Sequence, residues 1–187
     1  MNLPNKLTLT RIIMIPVFAA LFYLEVIPCN FVIAAGVFAL AAFTDFLDGH
    51  IARKYNLVTD LGKFLDPIAD KVLVSTALII MLFPYGAKIL PWYAGIAVAI
   101  ILARELIVSG FRMVAAGKGA VIAADKTGKI KTFVQDIAII VLLVGASVDA
   151  GLYSTVNIVG LCMLGVATLL TVISGAECII KNRKVLK

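Results

Sequence analysis

The chain has 187 residues, of which 62% are hydrophobic, and a mean hydropathy of +1.07. Soluble domains do not carry that composition, and a single polytopic membrane domain with no separate soluble part is expected. The net charge of +6 is not spread evenly: basic residues gather in a few loops, which reads as topology and headgroup anchoring and not as a nucleic-acid surface.

In chain order, Met1–Thr10, with Pro4, Asn5, Lys6, Thr8 and Thr10, reads as a short interfacial segment. A first span follows from Leu7 or Arg11 to Leu24. It resembles a signal peptide superficially but has no small-residue cleavage site within reach, so a retained membrane helix is expected. Pro28 marks a turn, and the second span runs from Phe31 to Lys54. After a short loop at Tyr55–Val58, the third span covers Thr59–Phe83. Pro84, Gly86 and Pro91 punctuate the next turn. The remaining spans are Trp92–Ala116, Lys126–Val148 and Thr155–Ile180, followed by a basic tail, Lys181–Lys187.

The expected fold is therefore all-α, with six transmembrane helices. Six crossings put both termini on one side, and Lys6, Arg11, Arg53, Lys54, Lys118, Lys126 and the tail then lie there too, with Lys88 alone opposite. That bias makes the termini cytoplasmic and the membrane the plasma (inner) membrane. Cys29, Cys162 and Cys178 are widely spaced and suggest neither a disulfide framework nor a metal site.

The chemistry concentrates at Asp45, Asp48, Asp66 and Asp70. Isolated carboxylates in apolar surroundings cost several kcal/mol each unless compensated. Asp45, Asp48 and Ala52 share one face of a helix, as do Gly62, Asp66 and Asp70. Folded back about Asn56 and Leu57, the two helices bring Ala52 level with Gly62, Asp48 with Asp66, and Asp45 with Asp70. The small pair allows close approach of the backbones, and the acids face one another. Facing carboxylates require protonation or divalent cations between them, and two Mg²⁺ or Mn²⁺ ions would neutralise all four. Hard cations with open positions attract phosphate. Helix-end carboxylates in contact with water are the plain alternative, and they explain neither the register nor the small residues.

The pattern D-x2-D-G-x2-A-R-x8-G-x3-D-x3-D, carried by Asp45, Asp48, Gly49, Ala52, Arg53, Gly62, Asp66 and Asp70, resembles the signature of the CDP-alcohol phosphotransferase family at every fixed position. That resemblance implies a CDP-linked lipid donor, attack of an alcohol on phosphorus and release of CMP. It also implies that Asp70 is both metal ligand and general base beside the ligands Asp45, Asp48 and Asp66, and that the protein is a homodimer. Gly49 would let a nucleotide lie close to the backbone and Arg53 can fork onto a phosphate, although lone snorkelling would also explain Arg53. Ala52, Gly62, Asn5 and Thr8 complete the expected nucleotide contacts.

A second basic set, Arg104, Arg112, Lys129 and Lys131, could bind a phosphate that does not react, which points to glycerol 3-phosphate as acceptor; the family resemblance implies CDP-diacylglycerol as donor. The runs Ala103–Arg112, Gly128–Thr132, Pro4–Thr8 and Phe64–Lys71 are similar to the branch of the family that uses this acceptor. Positive-inside topology and an Arg104–Glu105 neighbour pair would also account for these cations. A family member using inositol phosphate or a cardiolipin-type acceptor, a prenyltransferase, and a divalent-cation transporter are the competing readings. Lys71 is expected to pair with an acid or line a polar cavity, His50 to tune or face the interface, and Glu177 to be interfacial; Asp136 has no assigned role.

Overall fold

A computed structural model describes residues 3–24, 26–54, 60–83, 89–118, 126–148 and 150–183, with side chains over 6–24, 26–45, 68–83, 89–118, 127–148 and 152–183. The described residues form six helices: α1 (Leu3–Tyr23), α2 (Asn30–Lys54), α3 (Asp60–Leu82), α4 (Ala94–Gly117), α5 (Lys126–Gly145) and α6 (Ala150–Lys181). Each expected span is thus a helix, with two differences of substance. Leu3–Thr10 are the first turns of α1 and not a separate segment. The last helix begins at Ala150, five residues before the expected start; Gly151 is the one strongly helix-disfavouring residue in Ala150–Ser154, and it falls in the first turn.

Three helices contain stretches long and apolar enough to cross a membrane: Lys6–Tyr23, Ala94–Gly117 and Leu152–Lys181. Among the described residues α2 adds a shorter apolar run, Asn30–Asp45. α2, α3 and α5 each touch the other two, while α1 packs along α2 and α3, α4 along α3 and α6, and α6 along α5. Charged side chains are carried by these helices alike, and Arg11 of α1 and Lys131 of α5 are buried where helices meet. Outward faces are apolar in turn: Ile13, Leu40, Leu106 and Leu169 are all more than half exposed.

The interior is built from Phe18, Phe22, Phe38, Leu73, Leu78, Met81, Ile101, Ile139 and Leu142, each 1% exposed or less. Phe18 stacks on Phe38 at a centroid distance of 5.8 Å, joining α1 to α2. Connections are tied by side chains. Asn30 Nδ2 donates to the Phe22 carbonyl at 3.0 Å, satisfying one of the acceptors that the end of α1 leaves open. Asn157 Nδ2 donates to the Ile89 carbonyl at 3.0 Å, pinning the residues before α4 to α6.

Close packing of α5 on α6 rests on Gly160, where a Cβ would come within 2.6 Å of Leu142 Cγ. Gly160→Ala is expected to lower stability by about 1–3 kcal/mol. Gly165→Ala on the same helix, where a Cβ meets nothing within 4 Å, should leave it unchanged. Thermal unfolding of both variants in detergent checks the contrast.

Candidate active site

α1 brings the first functional side chain. Arg11 is completely buried, one helical turn after the equally buried Thr8. Its Nη1 donates to Asp45 Oδ1 at 2.6 Å and its Nε to the Ala41 carbonyl at 3.2 Å. Asp45 keeps 41% of its side chain exposed, so the pair stands at the edge of the buried zone with the carboxylate outermost. The charges of Asp45, Arg11, Glu105 and Lys131 all act on Asp70, and those of Asp70 and Asp45 act on Asp136 of α5. α1, α2, α3, α4 and α5 thus contribute to one polar interior.

The side chains of Asp48, Gly49, Ala52, Arg53, Gly62, Asp66 and Asn5 lie outside the described ones, as do His50 and the Tyr55–Val58 loop. Their positions in α2, α3 and α1 are helical. The register that sets Ala52 against Gly62 and Asp48 against Asp66 therefore falls outside the described side chains. α2 and α3 do touch, and α3 also packs on α1. Of the expected facing acids, Asp45 is paired by Arg11 of α1, whose charge also acts on Asp70.

The oxygen donors suit a hard divalent cation. Among the described residues no side chain donates a hydrogen bond to the Asp70 carboxylate, and Asp136 Oδ1 is buried without a partner. Unmatched carboxylate oxygens of this kind accept Mg²⁺ or Mn²⁺ readily.

A cationic cluster forms beside this centre. Glu105 Oε1 accepts from Lys131 Nζ at 2.5 Å and from Arg104 Nη1 at 3.1 Å. Arg104 Nη2 donates to Ser174 Oγ at 2.9 Å. Lys71 donates to Ser109 Oγ and feels the charges of Glu105, Asp70, Arg112 and Arg104. The Nε atoms of Arg104 and Arg112 are both buried without a partner. Arg104 lies directly over Gly175 of α6, where a Cβ would meet Arg104 Cγ at 2.9 Å and Nε at 3.3 Å. Of the expected basic set, Arg104, Arg112 and Lys131 come together with Lys71. Lys129 is exposed and stands apart, because residues two apart on a helix point some 200° from each other.

Glu177 accepts from Thr127 Oγ1 at 2.8 Å and pairs with Lys181 at 3.9 Å. A cavity of about 20 Å³ lies between the two groups, lined by Asp70, Lys71, Glu105, Lys131 and Gln135 among others. Gln135 is only 1% exposed, and its Oε1 has no partner. Sequence reasoning missed Arg11 as an interior residue and passed over Gln135. A charge at a helix start reads as topology unless its face is known, and Gln135 offers no sequence signal beyond its i+4 spacing from Lys131.

Residues 1–174 match the model of the CDP-alcohol phosphatidyltransferase family, and the chain belongs to that family. Its similarity to particular members is extensive. It is 42% identical to the CDP-diacylglycerol–glycerol-3-phosphate 3-phosphatidyltransferase of Bacillus subtilis (strain 168), across 100% of this chain and 97% of the relative. It is also 42% identical to the protein of the same name from Rickettsia typhi (strain ATCC VR-144 / Wilmington), across 93% of each chain. The one from Shigella flexneri serotype 5b (strain 8401) is 40% identical, across 91% of this chain and 88% of that one.

Arg11→Met removes the guanidinium that pairs with Asp45. A fully buried broken pair costs about 3–5 kcal/mol; with the carboxylate 41% exposed, a loss of about 2 kcal/mol is expected. Asp45→Asn in the same chain should recover part of it. Chemical unfolding of the metal-free single and double variants measures the coupling.

Proposed function

We propose that the protein transfers the phosphatidyl group of CDP-diacylglycerol to glycerol 3-phosphate, releasing CMP and forming phosphatidylglycerophosphate. The observation that carries this reading is near-full-length similarity to enzymes of that name, on a chain whose acidic centre adjoins a buried cationic cluster. The competing transport reading leaves the cluster without a purpose. An inositol-phosphate acceptor is disfavoured by those same relatives.

In this reading Asp45, Asp48, Asp66 and Asp70 hold two Mg²⁺ or Mn²⁺ ions. When bound, the ions supply charge to offset that on the diphosphate and on the oxygens of the transferred phosphoryl group. Gly49 and Arg53, with Asn5, Thr8, Ala52 and Gly62 around them, receive the nucleotide. Arg11 fixes the Asp45 carboxylate by a charge-assisted hydrogen bond. Asp70 takes the proton from the primary hydroxyl of glycerol 3-phosphate. The freed oxygen forms a bond to the phosphorus bearing diacylglycerol. The bond from that phosphorus to the bridging oxygen breaks, and CMP departs with the electron pair.

Lys71, Arg104, Arg112 and Lys131 receive the unreacting phosphate of the acceptor. Glu105 holds these cations in place until then, since like charges this close would otherwise repel. Lys129, on the exposed side of α5, is left out of the set. The full arrangement comprises six membrane crossings with the site and both termini cytoplasmic, in a homodimer. The basic-residue bias supports the orientation, and the family resemblance supports the dimer.

CMP release from CDP-diacylglycerol, with and without glycerol 3-phosphate, tests the reaction directly. Release should require the acceptor, stop in excess chelator and return with Mg²⁺ or Mn²⁺; acceptor-independent or chelator-resistant release would reject the reading. Asp70→Asn should cut turnover at least about 100-fold while CDP-diacylglycerol binding persists. Near-normal turnover of that variant would remove Asp70 as the base.

A further inference from the structure

Arg104 has two partners of unlike kind. Its Nη1 donates to Glu105 Oε1 at 3.1 Å, an oxygen that Lys131 Nζ also reaches at 2.5 Å. Its Nη2 donates to Ser174 Oγ of α6 at 2.9 Å. Glu105 is charged and shared between cations. Ser174 is neutral and only 1% exposed.

The serine is set up as an acceptor. Its own hydroxyl donates to the Thr171 carbonyl at 3.3 Å, within α6, so a lone pair of Oγ is left for Arg104. The next residue is Gly175, where a Cβ would come within 2.9 Å of Arg104 Cγ and 3.3 Å of its Nε. α6 thus gives the arginine stem a bare surface to lie on, with one oxygen beside it. Thr171, one turn earlier and completely buried, bonds instead to the Ala167 carbonyl of its own helix at 2.6 Å.

The two partners of Arg104 respond differently to an incoming phosphate. A phosphate competes with the Glu105 carboxylate for the guanidinium, because both are anions. A neutral hydroxyl buried on another helix stays in place through that exchange. Without it, a long side chain held by a single, shared ionic partner gains rotamer freedom, and that freedom is lost again each time a phosphate binds.

We propose that Ser174 is a positioning residue for the acceptor: its Oγ holds the guanidinium of Arg104 where it meets the unreacting phosphate of glycerol 3-phosphate. The inference rests on the assignment of Arg104 to that phosphate under the proposed function. It places a determinant of acceptor affinity on α6, which supplies no group assigned to the reacting centre.

Acceptor-dependent CMP release from CDP-diacylglycerol with Mg²⁺, measured over a range of each substrate, tests it. Ser174→Ala should raise the KM for glycerol 3-phosphate about three- to tenfold. Its kcat at saturating acceptor and its KM for CDP-diacylglycerol should stay within about twofold of native. A packing defect alone would reduce the amount of active protein and so lower kcat, without singling out one KM. If the alanine variant fails to fold, Ser174→Cys, close in size and a far weaker acceptor, carries the same expectation. Arg104→Met should raise the acceptor KM at least as far.

A native acceptor KM in the Ser174 variant, or equal rises for both substrates, overturns the inference while the reaction stands. A native acceptor KM in Arg104→Met overturns the assignment of Arg104 to the acceptor phosphate, and the inference with it. Absence of any acceptor-dependent release by the native protein would instead overturn the reaction itself.

Discussion

A charge removed from water must be met by another charge or by hydrogen bonds, and this fold is arranged around meeting that demand inside an apolar bundle. The guanidinium of Arg11 and the carboxylate of Asp45 are the clearest instance, linking α1 to α2 where the buried zone ends. α2, α3 and α5 touch one another, and charged side chains reach the interior from α1 and α4 as well, through Arg11, Arg104 and Glu105. The rest of the interior is mostly apolar, and so are the outward faces.

The same demand shapes the second group. Glu105 accepts from Arg104 and Lys131 and its charge acts on Lys71, so one carboxylate offsets part of the charge of that cluster. In the proposed reaction an arriving phosphate would replace one anionic partner with another, which is a smaller change than charging an empty pocket. The two unmatched guanidine nitrogens of Arg104 and Arg112 remain as donors for it. Serine or choline, lacking a phosphate, would gain nothing from this cluster.

Much of the architecture was legible in the sequence because apolar runs and their Pro, Gly and charged boundaries are local. The helices other than α1 and α6 fell within about three residues of their expected limits, α1 and α6 began earlier than expected, and the signature acids singled out one stretch of α2 and α3. What was not legible depended on which helix faces which. Arg11 looks like a topology charge until α1 is seen against α2, where it is the counter-ion of Asp45. Lys129 and Lys131 look equivalent in sequence; one is exposed and the other 2% exposed, because helical rotation separates them. Gln135 could be found only from the absence of a partner, a property that no residue pattern records.

Gly175 carries a consequence of its own. It has no functional group, and its helix supplies none of the groups assigned to the reacting centre, yet the missing methyl is what allows Arg104 to lie against α6 with Ser174 as its acceptor. A single added carbon at this buried position of α6 would displace a guanidinium carried by another helix. If Arg104 receives the acceptor as proposed, acceptor preference would respond to a position that touches no substrate.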